Sequence, residues 1–427
     1  METKMTLTSK QRALLSGEKG EAMAKVMETL VRYGETFGAE KMVPVTSDYG
    51  HLVTSFGLGV MKPIYGLMDQ LIEAGALSGQ KFSVDPRPLD KNVPSNALQN
   101  LVFKFMYSAQ EGYEQQLNKL GLLQEDAFTC ACYLPEIGNT PKKGEVLSWA
   151  ESSAVVYANS VLGARCNRNS GIIELFGSIA GCVPHFGLLT DEGRKATWII
   201  EVKTSKIPEA QVLGSAIGMK VMEDVPYIKG LSKFIGTALN ESACAYLKDM
   251  GAATASNGAV GLYHVEGLTP EAAELGESLI AQGAKTYVID DAELARVKAG
   301  YPVIWKNKEA QPKLAFIGCP HLSFAQLVDW TQKVEEGLKA SGREKVAIPT
   351  VFTTAPAVQK EFQKTEYYAR LQKTGVVLSY ICPLMYMNNP LCGKQPVITC
   401  SNKLRTYTSA KYMTNGEIIE AITKGGK

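Results

Sequence analysis

Four cysteines fall where short apolar runs end. Cys130 follows Ala127-Phe128-Thr129, Cys319 follows Leu314-Ala315-Phe316-Ile317-Gly318, Cys382 closes the run 376–381, and Cys400 follows Val397-Ile398-Thr399. Runs of this kind read as strands, and open α/β sheets bind ligands just outside the carboxyl ends of their strands. Thiolate sulfur is the soft donor that iron–sulfur centres take, so three or four thiols delivered to one sheet edge could hold such a centre. The spacing is not a Cys-x-x-Cys array, and each cysteine taken singly is equally well a small buried hydrophobe. Cys132, two residues from Cys130, would share its strand face, so either could be the donor. Cys244 falls on a helical face, and Cys166, Cys182 and Cys392 lie in turn-rich segments.

Polar groups suited to a small anionic ligand occur in two further places. Trp149-Ala150-Glu151-Ser152-Ser153-Ala154 opens a helix that runs through Asn159-Ser160 into Gly163-Ala164-Arg165-Cys166-Asn167-Arg168. Small polar groups at a helix start, followed by two arginines in a Gly/Asn-rich loop, suit a carboxylate or phosphate; a capped helix with a solvated basic loop accounts for them as well. Near the N-terminus, Gly50-His51-Leu52-Val53-Thr54-Ser55 and Ser83-Val84-Asp85-Pro86 read as loops after short strands. Their hydroxyls and amides could hold a substrate, and turn chemistry alone also explains them.

The elements that must position these residues alternate between strand and helix. Thr8 and Gln11 form a capping box. Met23, Val26, Met27, Leu30 and Val31 share one helical face. Pro63 opens a helix and Gly121 ends another. Strands are expected at 42–46, 128–134, 195–202, 260–265, 286–289, 314–317, 346–349, 376–381 and 397–399, most followed by a helical pattern. Such alternation predicts an α/β protein with largely parallel sheets. Boundaries are expected near residues 205 and 310, dividing the chain into 1–205, 206–310 and 311–427.

Composition narrows the function classes. The chain has 427 residues, is 45% hydrophobic and 21% charged, and carries a net charge of +2, so it can bury a large core and offers no basic stripe for nucleic acid. No apolar run approaches the roughly 18 residues of a membrane span, and the polar, mixed-charge N-terminus does not read as a secretory signal. A cytoplasmic setting is therefore expected, where nine cysteines are better explained as ligands or free thiols than as disulfides.

Several longer motifs carry a resemblance. They are Leu7-Thr8 with Gly17-Glu18 and Gly20-Glu21; Trp149-Ala150-Glu151-Ser152-Ser153-Ala154-Val155 with Ala158-Asn159-Ser160-Val161-Leu162-Gly163-Ala164-Arg165; Gly258-Ala259-Val260, His264 and Gly267-Leu268-Thr269-Pro270-Glu271-Ala272; Gly318-Cys319-Pro320-His321; Ile381-Cys382-Pro383; and Ser401-Asn402-Lys403. In these, nearly end to end, the sequence resembles the large, catalytic subunit of the aconitase X family, whose members dehydrate phosphomevalonate or cis-3-hydroxy-L-proline. The resemblance implies an aconitase-like catalytic region of several α/β/α subdomains around a central cleft. It implies an iron–sulfur cluster or iron held by Cys130, Cys319 and Cys382, with Cys132 as competitor to Cys130. Catalytic groups would be Glu151, Ser152 and Lys403. Substrate contacts would fall on Val53, Thr54, Ser55, Asp85 and Pro86, and the helix-and-loop stretch adds Asn159 and Arg165.

The activity implied is that of a hydro-lyase acting on a small hydroxy acid. An open iron would act as Lewis acid on the leaving hydroxyl, and a separate small subunit would supply the swivelling domain that this chain lacks. Archaeal relatives carry Asn-Pro where this chain has Asp85-Pro86; a carboxylate there suits the ammonium of hydroxyproline better than a phosphate. Phosphomevalonate is the alternative substrate, and a non-catalytic iron–sulfur sensor the alternative of another class.

Overall fold

The computed structural model describes residues 3–425. The chain forms three successive α/β units. In the first, β1 (Met42–Pro44) pairs antiparallel with β4 (Cys182–Pro184), and β2 (Gly50–Leu52) pairs in parallel with β3 (Phe82–Val84). Single bridges from His51 to Trp149 and from Val84 to Phe128 extend the small β2–β3 sheet. The helix Glu21–Thr36 buries the expected face of Val26, Met27, Leu30 and Val31, and Thr8 caps Ser9–Leu15 through the capping box with Gln11.

The middle unit is a four-stranded, all-parallel sheet ordered β7 (His264–Val265), β6 (Pro226–Lys229), β5 (Ala196–Val202), β8 (Ile280–Ile289). Its first strand begins at Ala196, so a division at 205 would separate that strand from its sheet; we place the division in the turn Glu192–Arg194. The third unit is a five-stranded parallel sheet ordered β11 (Val377–Ser379), β10 (Thr350–Thr354), β9 (Leu314–Leu322), β12 (Val397–Thr399), β13 (Lys411–Tyr412). All nine residues of β9 are buried, as a central strand covered on both faces requires. The chain builds outward from β9 to β11, then returns to β9's other side with β12. That reversal opens a crevice between the carboxyl ends of β9 and β12, where open α/β sheets place their ligands.

Glycine is required at one place beside that crevice. Gly318 has φ +111°, and a Cβ there would lie 2.3 Å from the Thr353 carbonyl. The close approach goes with a register shift between β9 and β10, and Cys319 is the next residue. The Cys319–Pro320 peptide is cis.

Three expected strands differ. Of the run 260–265 only His264–Val265 is strand, as β7. The segment 128–134 contributes only the bridge at Phe128 before turning into the short helix Pro135–Ile137, so Cys130 and Cys132 do not share a strand face. The run 346–349 is a loop, and the strand begins at Thr350.

Packing ties the units together. One apolar core runs from the helix Ser152–Ser160 through the middle sheet into the third, including Val155, Leu213, Tyr263, Ile317 and Phe352. Another joins Phe103 and Tyr107 of the first unit to Phe316 and Ile381 of the third. No helix among the described residues is long and apolar enough to cross a membrane.

Candidate active site

The site lies where the first unit meets the β9–β12 crevice. Glu151 precedes the helix Ser152–Ser160 and caps it: its Oε2 accepts from the Ala154 amide and the Ser153 hydroxyl, each at 2.6 Å. Its backbone takes φ +81°, a conformation strained for a residue with a Cβ. The other carboxylate oxygen pairs with the Lys403 ammonium, brought from the helix Asn402–Tyr407 behind β12. Lys403 and Glu151 have side chains only 9% and 4% exposed.

Burial alone would push the Glu151 carboxyl up, but the Lys403 ammonium and the Ser153 and Ala154 donors hold it below the ordinary carboxylate range. Burial would likewise lower Lys403; the negative charge of Glu151, with Cys319, Cys130 and Asp85 around it, holds its ammonium protonated instead. Ser152, half-buried, is the first residue of the same helix.

Asp85 follows β3 and is buried. Its Oδ1 stands 3.6 Å from His51 Nε2, beyond hydrogen-bond length, and neither atom has another partner. Burial pushes the Asp85 carboxyl up to about 6; Glu151 adds to the rise, while the His51 ring and Lys403 oppose it. His51, fully buried, is held through Nδ1 by the Ser83 hydroxyl at 2.9 Å, which also receives a bond from Asn139. Among the loop residues, Val53 donates its amide to Glu174 Oε1 at 3.0 Å, Thr54 shares a hydrogen bond with the Tyr113 hydroxyl, and Ser55 is buried. Glu174 is fully buried and pushed up to about 8 by that burial. Pro86 lines a cavity of about 10 Å³ together with Thr54, Asp85, Tyr113 and Phe128.

Burial raises the thiols of Cys130, Cys319 and Cys382, the last to about 12. Cys130 and Cys382 each feel Cys319, while the Lys403 charge and the Ser401 hydroxyl pull Cys319 back down. The Arg87 carbonyl, two residues beyond Asp85, accepts from the Cys382 amide at 2.9 Å. Cys132 is fully buried beside Ser83. Cys400 shares a cavity of about 30 Å³ with Cys319, Glu209 and Asp249.

Two expected substrate contacts are spent elsewhere. Asn159 donates to the carbonyls of Cys166 and Gly261 and accepts from the Cys166 amide and from Arg194, which fills its hydrogen-bonding capacity. Arg165 holds the Leu189 carbonyl and Asp191 on the outer loop. Both side chains already have polar partners within the fold. Reading the sequence missed His51, Glu174 and His321 as parts of the site. His51 and His321 stand inside motifs quoted for other residues, Gly50-His51-Leu52 and Cys319-Pro320-His321; nothing local singles out Glu174.

Three family models match almost the whole chain: Aconitase X first domain over residues 4–192, second domain over 196–299 and third domain over 312–421. The chain belongs to the aconitase X family. It is 33% identical over 357 residues to the phosphomevalonate dehydratase large subunit of Thermococcus kodakarensis, covering 83% of this chain and 82% of that one. It is 26% identical over 413 residues to the cis-3-hydroxy-L-proline dehydratase of Pseudomonas aeruginosa, covering 92% of this chain and 65% of that one. The crystal structure of Thermococcus kodakaraensis aconitase X in its holo-form superposes with a TM-score of 0.79 at 28% identity, over 98% of this chain and 100% of that one. The aconitase X chain described here is a hydro-lyase, as these dehydratases are.

Among the described residues no three His, Cys, Asp or Glu side chains are gathered as ligands of one metal ion. The donor chemistry still fits an iron–sulfur group. Three thiols come from separate segments, Cys319 acts on the other two and Lys403 on all three, and burial disfavours their thiolates until a cation compensates them. A cluster distributes its cysteine ligands over several irons and so does not require three sulfurs around one point.

Proposed function

We propose that this aconitase X chain is the catalytic subunit of an iron–sulfur-dependent dehydratase that removes water from a small hydroxy acid carrying an amino group. The carrying observation is that one buried cation, Lys403, interacts with Glu151, Cys130, Cys319 and Asp85 together, bringing the thiols and the polar groups into one site. Cys130, Cys319 and Cys382 would hold the cluster, which when bound supplies a Lewis acid for the departing hydroxyl.

The roles of the chain's own groups follow from their charges. Lys403 stays protonated and so donates to the substrate's carboxylate or hydroxyl; it is not the base. Glu151, locked by three donors, keeps Lys403 in place. Ser152 offers its hydroxyl at the start of the helix, where an anion is favoured. Val53, Thr54 and Ser55, fixed by Glu174 and Tyr113, wall the substrate side. Asp85, with an unpartnered oxygen and a carboxyl that titrates near 6, is suited to pair with a substrate ammonium. Arg87 is engaged by Glu114 and Arg165 by Asp191, and Lys403 is already balanced by Glu151, which leaves little positive charge for a phosphate.

The higher identity to phosphomevalonate dehydratase large subunits, 33% against 26%, favours a second reading with that substrate. The words "large subunit" in those names also support a small partner that completes the site. The test is to express the chain with a candidate small subunit, purify both anaerobically, measure iron and sulfide, and assay water elimination from cis-3-hydroxy-L-proline and phosphomevalonate. Turnover of the phosphorylated acid alone would overturn the amino-acid reading; turnover of neither by an iron-loaded complex would overturn both substrates.

A further inference from the structure

The three cysteine segments come from residues 130, 319 and 382, and one side chain is bonded to the neighbours of the other two. His321 is fully buried, two residues beyond Cys319. Its Nδ1 lies 3.0 Å from the Thr129 hydroxyl, beside Cys130, and its Nε2 lies 3.1 Å from the Ile381 carbonyl, beside Cys382. Its backbone amide donates to Cys130 Sγ at 3.4 Å, and its carbonyl accepts from the buried Lys248 ammonium at 2.8 Å.

The donors fix the direction of the chain of bonds. A carbonyl only accepts, so Nε2 carries the proton toward Ile381. Nδ1 is then an acceptor, and the Thr129 hydroxyl must donate to it. That hydroxyl in turn accepts from the Ala131 amide at 3.0 Å. One bonded series therefore runs from Ala131 through Thr129 and the imidazole to Ile381.

Resting on the assignment of Cys130, Cys319 and Cys382 as cluster ligands, we propose that His321 is the positioning residue that sets these three cysteines as one ligand set, with Thr129 and the Ile381 carbonyl as its two anchors and Lys248 holding its backbone. The imidazole touches no substrate in this scheme; it fixes where the sulfurs stand. Partners of metal ligands typically change metal retention about 10–100-fold when removed, and that is the effect expected here.

The experiment reads cluster retention, not turnover. His321→Ala, His321→Gln, His321→Asn and Thr129→Val are reconstituted anaerobically with iron and sulfide. Iron and sulfide per chain, the visible circular dichroism spectrum and the rate of iron loss to ferrozine are compared with wild type. Gln places an amide where Nε2 was and keeps the anchor to Ile381; Asn keeps the anchor to Thr129. Both should fall between wild type and Ala, and Thr129→Val should release iron about 10–100-fold faster with an altered visible spectrum.

Wild-type stoichiometry, spectrum and release rate in folded His321→Ala would overturn the proposal. If that variant does not fold, Thr129→Val decides alone, and wild-type behaviour there overturns it. Cys319→Ala separates the two layers. If it loses the cluster while the His321 and Thr129 variants keep it, the positioning role fails and the ligand assignment stands. If Cys319→Ala itself keeps the cluster, the ligand assignment fails and this inference with it.

Discussion

Replacing Lys403 by Met removes the charge that makes a buried Glu151 tolerable while keeping most of the side chain's volume. Both members of the pair are nearly sealed from water, at 9% and 4% exposure, so solvent cannot replace the ammonium. Glu151 would keep its bonds from Ser153 and Ala154 but lose its counter-charge. Breaking a buried pair from one side costs roughly 3–5 kcal/mol. At about 2–4 °C per kcal/mol for a cooperative unit of 150–250 residues, the thermal midpoint should drop by roughly 6–20 °C.

The loss should depend on pH, with a sign that can be worked out. In the wild type the Glu151 carboxyl sits below its ordinary range, so its stabilisation is present above the unfolded carboxylate pKa and is lost as pH falls through the folded one. In Lys403→Met, burial is no longer opposed by Lys403 and the carboxyl shifts upward. The variant can then relieve the buried charge by protonation in mild acid, and its deficit should widen between pH 5 and pH 8. The double variant Lys403→Met/Glu151→Gln removes both charges and should recover much of the loss. The assay is thermal unfolding by circular dichroism at both pH values on cluster-free protein. A single variant within about 2 °C of wild type at pH 8, or a double variant no better than the single, would refute the reasoning.

Three other outcomes are expected. Asp85→Asn should lose about 2–5 kcal/mol of affinity for an amino-bearing hydroxy acid and none for a phosphorylated one; the wild type's kcat/KM for the amino acid should fall below about pH 6 as Asp85 protonates, and the variant should lack that acid limb. Cys400→Ser should keep wild-type iron and sulfide while Cys319→Ser and Cys382→Ser lose them, as read by metal analysis of anaerobic protein. Arg194→Met should cost roughly 3–5 kcal/mol, because Arg194 is 1% exposed and bound to Glu271, Asn159 and the Leu188 carbonyl; thermal unfolding should show the loss, and iron content should stay unchanged.

What the sequence disclosed follows from how far each signal reaches along the chain. The capping box at Thr8 and Gln11 and the apolar face of Glu21–Thr36 are local patterns, and both are in the structure as expected. The strands β9 and β12 are apolar because both their faces are covered, so their runs were readable too. β10 was missed by one segment because it hides polar residues: Thr350, Thr353 and Thr354 are buried with their hydroxyls on the carbonyls of Ile348, Gly318 and Leu322. A hydropathy pattern counts those threonines against burial; a backbone acceptor at the right place reverses the sign.

The same blindness explains the site. Glu151 and Lys403 are 252 positions apart, and no periodicity links them, so only the family motifs pointed to both. Asn159 and Arg165 illustrate the opposite case. A polar helix end and a basic loop look available for an anion until Asp191, Arg194 and three backbone carbonyls are found already holding them. A buried polar residue is open to a ligand when the fold leaves one of its atoms without a partner, as it does for Asp85 Oδ1 and His51 Nε2. That property belongs to the assembled neighbourhood, which is why His51, inside a motif quoted for other residues, carried no signal until its surroundings were known.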